Sequence, residues 1–125
     1  MKFQPEKSDG PAINAYGPGW VSIDGEKVYS SVVIGSRGQR FDWDCARYAA
    51  LSGAHFNRLA EDSPELVIFG SGERIQFPRP EWLLGLYARR IGIETMDTQA
   101  ACRTYNILAG EGRDVMLALL IEVSA

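Results

Sequence analysis

Apolar residues crowd most densely near the C-terminus, where Val115-Met116-Leu117-Ala118-Leu119-Leu120-Ile121 offers no polar side chain to water. Such a run suits a β-strand buried on both faces, and the expected strand extends from Val115 to Val123. Just upstream, Ile91-Gly92-Ile93-Glu94 reads as a strand. Asp97 or Thr98 then caps a helix from about Gln99 to Ala109, and Gly110 to Gly112 end it. A strand that needs cover above and below predicts an α/β layered domain.

The rest of the pattern fits around that block. Ile13 to Tyr16 and Trp20 to Ile23 are β-prone segments separated by Gly17-Pro18-Gly19. Asp24-Gly25 signals a tight hairpin into Lys27-Val28-Tyr29, and Ser31 to Ile34 is another strand. Phe41 and Trp43 alternate with Asp42 and Asp44, as in a short half-exposed strand or an extended loop crossing the core edge. Two helix starts are open next: Ser52 as N-cap for Gly53 to Glu61, or a start near Cys45 with a kink at Gly53. Leu66 to Phe69 is a strand stopped by Gly70-Ser71-Gly72. Pro80 opens a helix over Glu81 to Arg90, with Leu83, Leu84, Tyr87 and Ala88 spaced for a buried stripe. In the last helix Ala101, Thr104, Tyr105 and Leu108 form the expected inner face.

Length narrows the picture. With 125 residues the chain is expected to be one domain with one core over residues 13–125, preceded by a loose, flexible arm or an edge-hugging loop over residues 1–12. A net charge of −3 argues against a general nucleic-acid footprint. No apolar run approaches the roughly 20 residues that span a bilayer, so direct membrane insertion is not expected, and the cytoplasm is the expected location. Cys45 and Cys102 form no paired motif, and neither a metal nor a cofactor is expected.

The block Gly92 to Leu108, followed by Glu111-Gly112-Arg113, together with Gly70-Ser71-Gly72 and Pro78-Arg79-Pro80, resembles one known group. It is the small α/β domain family that includes a mitochondrial respiratory complex I assembly factor and the adipogenesis-associated domain protein. The likeness runs from roughly Ile13 to the C-terminus and is most specific in the C-terminal block. It implies a three-layer single domain with a central mixed sheet, flanking helices and a small N-terminal β layer. It implies no established catalytic residues, and in the eukaryotic relatives it implies assembly of a respiratory complex. Serine stands in the middle of the Gly-x-Gly turn where threonine is common, and the hydroxyl is retained.

Candidate chemistry gathers at two turns. Gly70, Ser71, Gly72 and Arg74 follow a buried strand, where backbone N–H groups, a hydroxyl and a guanidinium can hold a carboxylate or phosphate. A tight structural turn explains the same residues. Asp97 and Thr98 suit helix capping, and Glu94 with Asp97 is the competing acid/base pair. Arg103 can reach Glu111 or an anion, and Tyr105 can donate from an apolar seat to buried backbone. Asn106 faces a partner or binds the adjoining turn. No catalytic set is assigned. A Cys-His pair between His55 and Cys45 or Cys102 is the weakest candidate. Trp20, Phe41, Trp43 and Trp82 either cluster under the N-terminal β layer or form an exposed aromatic surface. The leading expectation is therefore a protein-binding or assembly domain with a protein partner or a second copy of itself. The alternative is a small-anion or small-molecule binder, or an enzyme, using turns 70–74 and 94–98.

Overall fold

The computed structural model describes residues 10–122, so Val123 and residues 1–9 of the expected arm lie outside the described residues; the strand expected to reach Val123 ends within them, at Leu119. Of the rest of that arm, Pro11 and Ala12 are tied to the domain: the Tyr105 hydroxyl donates to the Pro11 carbonyl (2.7 Å) and Asp24 N–H donates to the Ala12 carbonyl (3.0 Å).

Five strands form the central sheet: β4 (Val32–Gly35), β5 (Arg40–Asp42), β6 (Leu66–Gly70), β7 (Gly92–Met96) and β8 (Val115–Leu119), in the order β5-β4-β8-β6-β7. The C-terminal apolar run is thus the middle strand, antiparallel to β4 and parallel to β6, and β7 is parallel to β6 at the edge. Its lack of polar residues follows from its two covered faces. Met116, Ala118 and Leu120 point to one cluster with Val67, Phe69, Phe56 and Leu59. Val115, Leu117, Leu119 and Ile121 point to another with Ile68, Ala101, Cys102 and Tyr105. The one core expected from length is therefore two, because a sheet without an exposed face separates the side chains above it from those below.

The first cluster is roofed by α1 (Gly53–Ala60) and α2 (Leu84–Ala88). Ser52 is the N-cap of α1, which settles the open choice of helix start, and a 3-10 turn at Tyr48–Ala50 precedes it. His55 completes a capping box, its Nδ1 accepting from Ser52 N–H at 3.1 Å, and Leu51 and Phe56 lie buried in the same cluster. The helix expected over Glu81 to Arg90 is split: a 3-10 turn at Pro80–Leu83 runs into the short α2. The tighter turn shifts the buried stripe to Leu83 and Leu86, and leaves Leu84 and Tyr87 exposed.

The second cluster is covered by α3 (Thr98–Gly110) and a three-stranded antiparallel sheet, β1 (Ile13–Gly17), β2 (Trp20–Ile23) and β3 (Glu26–Val28). Asp24 (φ 48°) and Gly25 (φ 89°) both take positive φ in the β2–β3 turn, as an Asp-Gly hairpin demands. The buried face of α3 is Ala101, Cys102, Tyr105 and Ala109, with Thr104 and Leu108 at its margin. Asn106 joins helix to small sheet: its Oδ1 accepts from Ile13 N–H (3.0 Å) and its Nδ2 donates to the Ile13 carbonyl (2.7 Å). This amide substitutes for a strand neighbour next to the irregular register between Ile13 and Ala15. Replacing Asn106 by Ala removes both bonds and is expected to cost about 1–3 kcal/mol. Urea unfolding measures the loss, and faster amide exchange at Ile13 locates it.

The aromatic residues follow neither expected arrangement. Trp43 meets Phe56 (5.6 Å) and Phe69 (5.9 Å) edge-on, and Trp82 stacks on Phe56 (6.1 Å), all beneath the helices rather than beneath the small sheet. Val21 and Ile23 take the inner side of β2, so Trp20 is left at the rim, with Lys27 Nζ 4.6 Å from its ring.

Candidate functional site

Parallel strands place their carboxyl ends together, and this brings the two sequence-predicted turns side by side. Ser71 N–H donates to the Met96 carbonyl (2.9 Å), and Thr98 N–H donates to the Gly72 carbonyl (2.8 Å). Gly70 ends β6 where α3 comes closest: a Cβ there would stand 2.6 Å from Leu119 Cδ2 and 3.1 Å from Ala101 Cβ. Gly72 has φ +111°, a conformation other residues rarely adopt.

Ser71 is fully buried and its polar atoms are taken. Its hydroxyl donates to the Arg74 carbonyl (2.8 Å) and accepts from Gln76 N–H (2.8 Å). The Ser71 hydroxyl and N–H thus build the turn and do not face a ligand. Asp97 caps α3, its Oδ1 accepting from Ala100 N–H at 2.8 Å.

Above these turns lies a cleft of about 780 Å³. Gly72, Glu73 and Arg74 line it from one turn, Asp97, Thr98 and Gln99 from the other, and Tyr16 to Trp20 close it from the small sheet. Arg74 is the only basic side chain among the described lining residues, beside the carboxylates Glu73, Asp97 and Glu122. Two of those carboxylates have structural partners: Asp97 in its cap, and Glu122, whose Oε2 accepts from Tyr48 N–H at 2.8 Å.

Of the nine expected site residues, the structure brings Gly72, Arg74, Asp97 and Thr98 to this cleft and seats Gly70 and Ser71 beneath it. Glu94, Arg103 and Tyr105 do not line it. Glu94 is exposed on the edge strand β7, so it does not join Asp97 in the cleft. Arg103 lies on the exposed side of α3, with no ion pair to Glu111 among the described residues. Tyr105 is buried with its hydroxyl committed to Pro11, and burial raises its pKa well above the usual tyrosine range. Sequence reasoning missed Tyr16, Trp20, Gln76, Gln99 and Glu122. The Gly17-Pro18-Gly19 turn beside an aromatic was the available signal, but no local pattern places that turn opposite residue 74.

The cysteines are not an activated pair. His55 is held by its capping box and by the Asp44 carbonyl, 2.7 Å from its Nε2. Burial pushes the Cys45 thiol up, and pushes Cys102 from 9.0 to about 12. Cys102 is therefore expected to resist iodoacetamide in the native protein and to react on unfolding, which mass spectrometry resolves by residue. Because the folded thiol holds its proton more tightly than the unfolded one, its contribution to stability is complete below the ordinary value of 9.0 and is lost as pH rises toward about 12. Among the described residues no group of histidine, cysteine and carboxylate side chains is placed to hold a metal ion.

A family model described as "Protein of unknown function (DUF498/DUF598)" matches residues 13–120. Among curated proteins, the chain is 29% identical over 120 residues to NADH dehydrogenase [ubiquinone] 1 alpha subcomplex assembly factor 3 of Danio rerio, covering 94% of this chain and 68% of that one. The Bos taurus protein of the same name is 27% identical over 110 residues, 86% of this chain and 59% of the relative, so the chain spans about three-fifths to two-thirds of these proteins. Among solved structures, a Bordetella parapertussis protein superposes with a TM-score of 0.84 at 34% identity, covering 90% of this chain and 97% of that one.

Proposed function

Starting from the chain's membership of the family described as Protein of unknown function (DUF498/DUF598), to which it belongs over residues 13–120, we propose that it is a non-enzymatic protein-binding domain serving the assembly of a multi-subunit complex. The single observation that carries this reading is the likeness, over 94% of the chain, to a relative named as an NADH dehydrogenase assembly factor. In the finer form of the proposal the partner is a subunit of a respiratory dehydrogenase, met in the cytoplasm. The fold suits such a role: two covered cores make a rigid body, and a rigid surface loses little entropy on docking. The test is isolation of the tagged chain at its native level after mild cross-linking. A stoichiometric protein partner is expected; recovery of the chain alone, together with a tightly held small molecule, would overturn the reading.

One observation favours a second reading: turns 72–74 and 97–98 line the same cleft, at the strand ends where α/β proteins hold ligands. Here the cleft takes a small molecule with an anionic group on Arg74 and a flat surface against Trp20. Titration with phosphate and simple carboxylates, read at the Trp20 indole N–H, tests it; no shift at millimolar ligand would remove it.

A further inference from the structure

Six large apolar side chains are exposed among the described residues, and four of them, Ile75, Phe77, Leu84 and Tyr87, fall in the crossover between β6 and β7. Residues 71–91 also carry Arg74, Arg79, Arg89 and Arg90 against Glu73 and Glu81, a net of +2 in a chain whose net charge is −3. We propose that this crossover is a peripheral docking surface for a bilayer rich in anionic phospholipid.

The side chains are presented by a braced backbone. Gln76 is turned inward, its N–H donating to Ser71 Oγ (2.8 Å) and its Nε2 to the Ser71 carbonyl (3.3 Å). Its neighbours Ile75 and Phe77 stand out, 52% and 70% exposed. The Tyr48 hydroxyl holds the Phe77 carbonyl at 2.6 Å, and the Tyr48 ring lies 5.5 Å from Trp82, which ties this loop to the root of α2. On α2, Leu83 and Leu86 are buried, while Leu84 and Tyr87, one turn apart, look outward. A short rigid ridge of this kind reaches the headgroup boundary without folding on contact.

Charge selects the occupant. Arg74 lines the strand-end cleft and the Arg89 guanidinium donates to the Ala60 carbonyl (2.9 Å), so the cations offered to this ridge are Arg79, two residues from Phe77, and Arg90, three from Tyr87. Arginine stems extend along apolar surface while the guanidinium stays at headgroup height, and each cation near an anionic leaflet adds attraction that salt removes. A bilayer needs no pocket to receive these side chains, whereas a protein partner must present one for each. The apolar side chains stand on a loop and on the five-residue α2, which gives a peripheral and reversible attachment.

The experiment is co-sedimentation of the full chain with vesicles of phosphatidylcholine and phosphatidylglycerol in equal parts, against vesicles of phosphatidylcholine alone. Binding to the anionic vesicles is expected at low salt, and it is expected to weaken as salt rises. Phe77→Asp/Leu84→Asp and Arg79→Glu/Arg90→Glu are each expected to lower the partition coefficient about ten-fold or more. The apolar pair is exposed, so the melting temperature of Phe77→Asp/Leu84→Asp should stay at that of the parent. The proposal is overturned if the parent stays in the supernatant at low salt, or if Phe77→Asp/Leu84→Asp sediments as the parent does. It is overturned equally if these residues bind an acidic protein and not the vesicles. Both variants leave the strand-end cleft intact, and the vesicles contain no protein, so failure here is separate from failure of the assembly reading.

Discussion

Phe56→Ala is expected to lower the free energy of unfolding by about 3–5 kcal/mol. Phe56 is fully buried, and three rings surround it: Phe69 at 5.4 Å, Trp43 at 5.6 Å and Trp82 at 6.1 Å. Truncation removes the shared partner of all three, and large neighbouring rings refill such a space poorly. The loss should appear in urea unfolding followed by tryptophan fluorescence, as a lower midpoint at unchanged slope. A loss below about 1 kcal/mol would show that the cluster can collapse around the gap and is not the rigid support described. Because Trp82 roots the β6–β7 crossover on Phe56, the same variant should also loosen the ridge that carries Phe77 and Leu84.

Leu117→Asp is expected to be more damaging still. Leu117 lies in the central strand opposite Ile34 and Ile68, with no accessible surface. The substitution forfeits roughly 2–3 kcal/mol of apolar burial and adds a polar group without partners, so the total cost reaches about 5 kcal/mol or more. Domains of this size have about 5–15 kcal/mol in hand, and the variant should be largely unfolded at neutral pH by circular dichroism. The aspartate would have a folded-state pKa above its unfolded value of about 3.9. Its deficit is therefore smallest below that pH and grows as pH rises through it. A Leu117→Asp protein that melts like the parent would mean that β8 faces water.

Several features of the fold were legible because they are set by neighbours in sequence. The unbroken apolar run from Val115, the Asp24-Gly25 hairpin, the Ser52 and Asp97 caps and the stop at Gly70-Ser71-Gly72 each express a local rule of burial period, turn geometry or end-group satisfaction. Where the reading slipped, a small local change had a distant cause or effect. A 3-10 start at Pro80 turned the helix by part of a turn, so the apolar stripe expected at Leu84 and Tyr87 became a surface. The tryptophans part by element: Trp43, just past the end of β5, lies beneath α1, whereas Trp20, the first residue of β2, lies at the small sheet.

By itself, the sequence determined that an α/β layered domain would be built around its C-terminal apolar strand, and which residues would turn the chain and cap its helices, because hydrophobic period and turn chemistry act over a few residues. Only the tertiary structure decided which of those turns meet. The parallel pairing of β6 with β7 sets residue 72 beside residue 98, the small sheet carries Trp20 across to face them, and Asn106 fixes that sheet to α3. Contacts of this kind depend on strand order and on the packing of layers, which no window of neighbouring residues encodes.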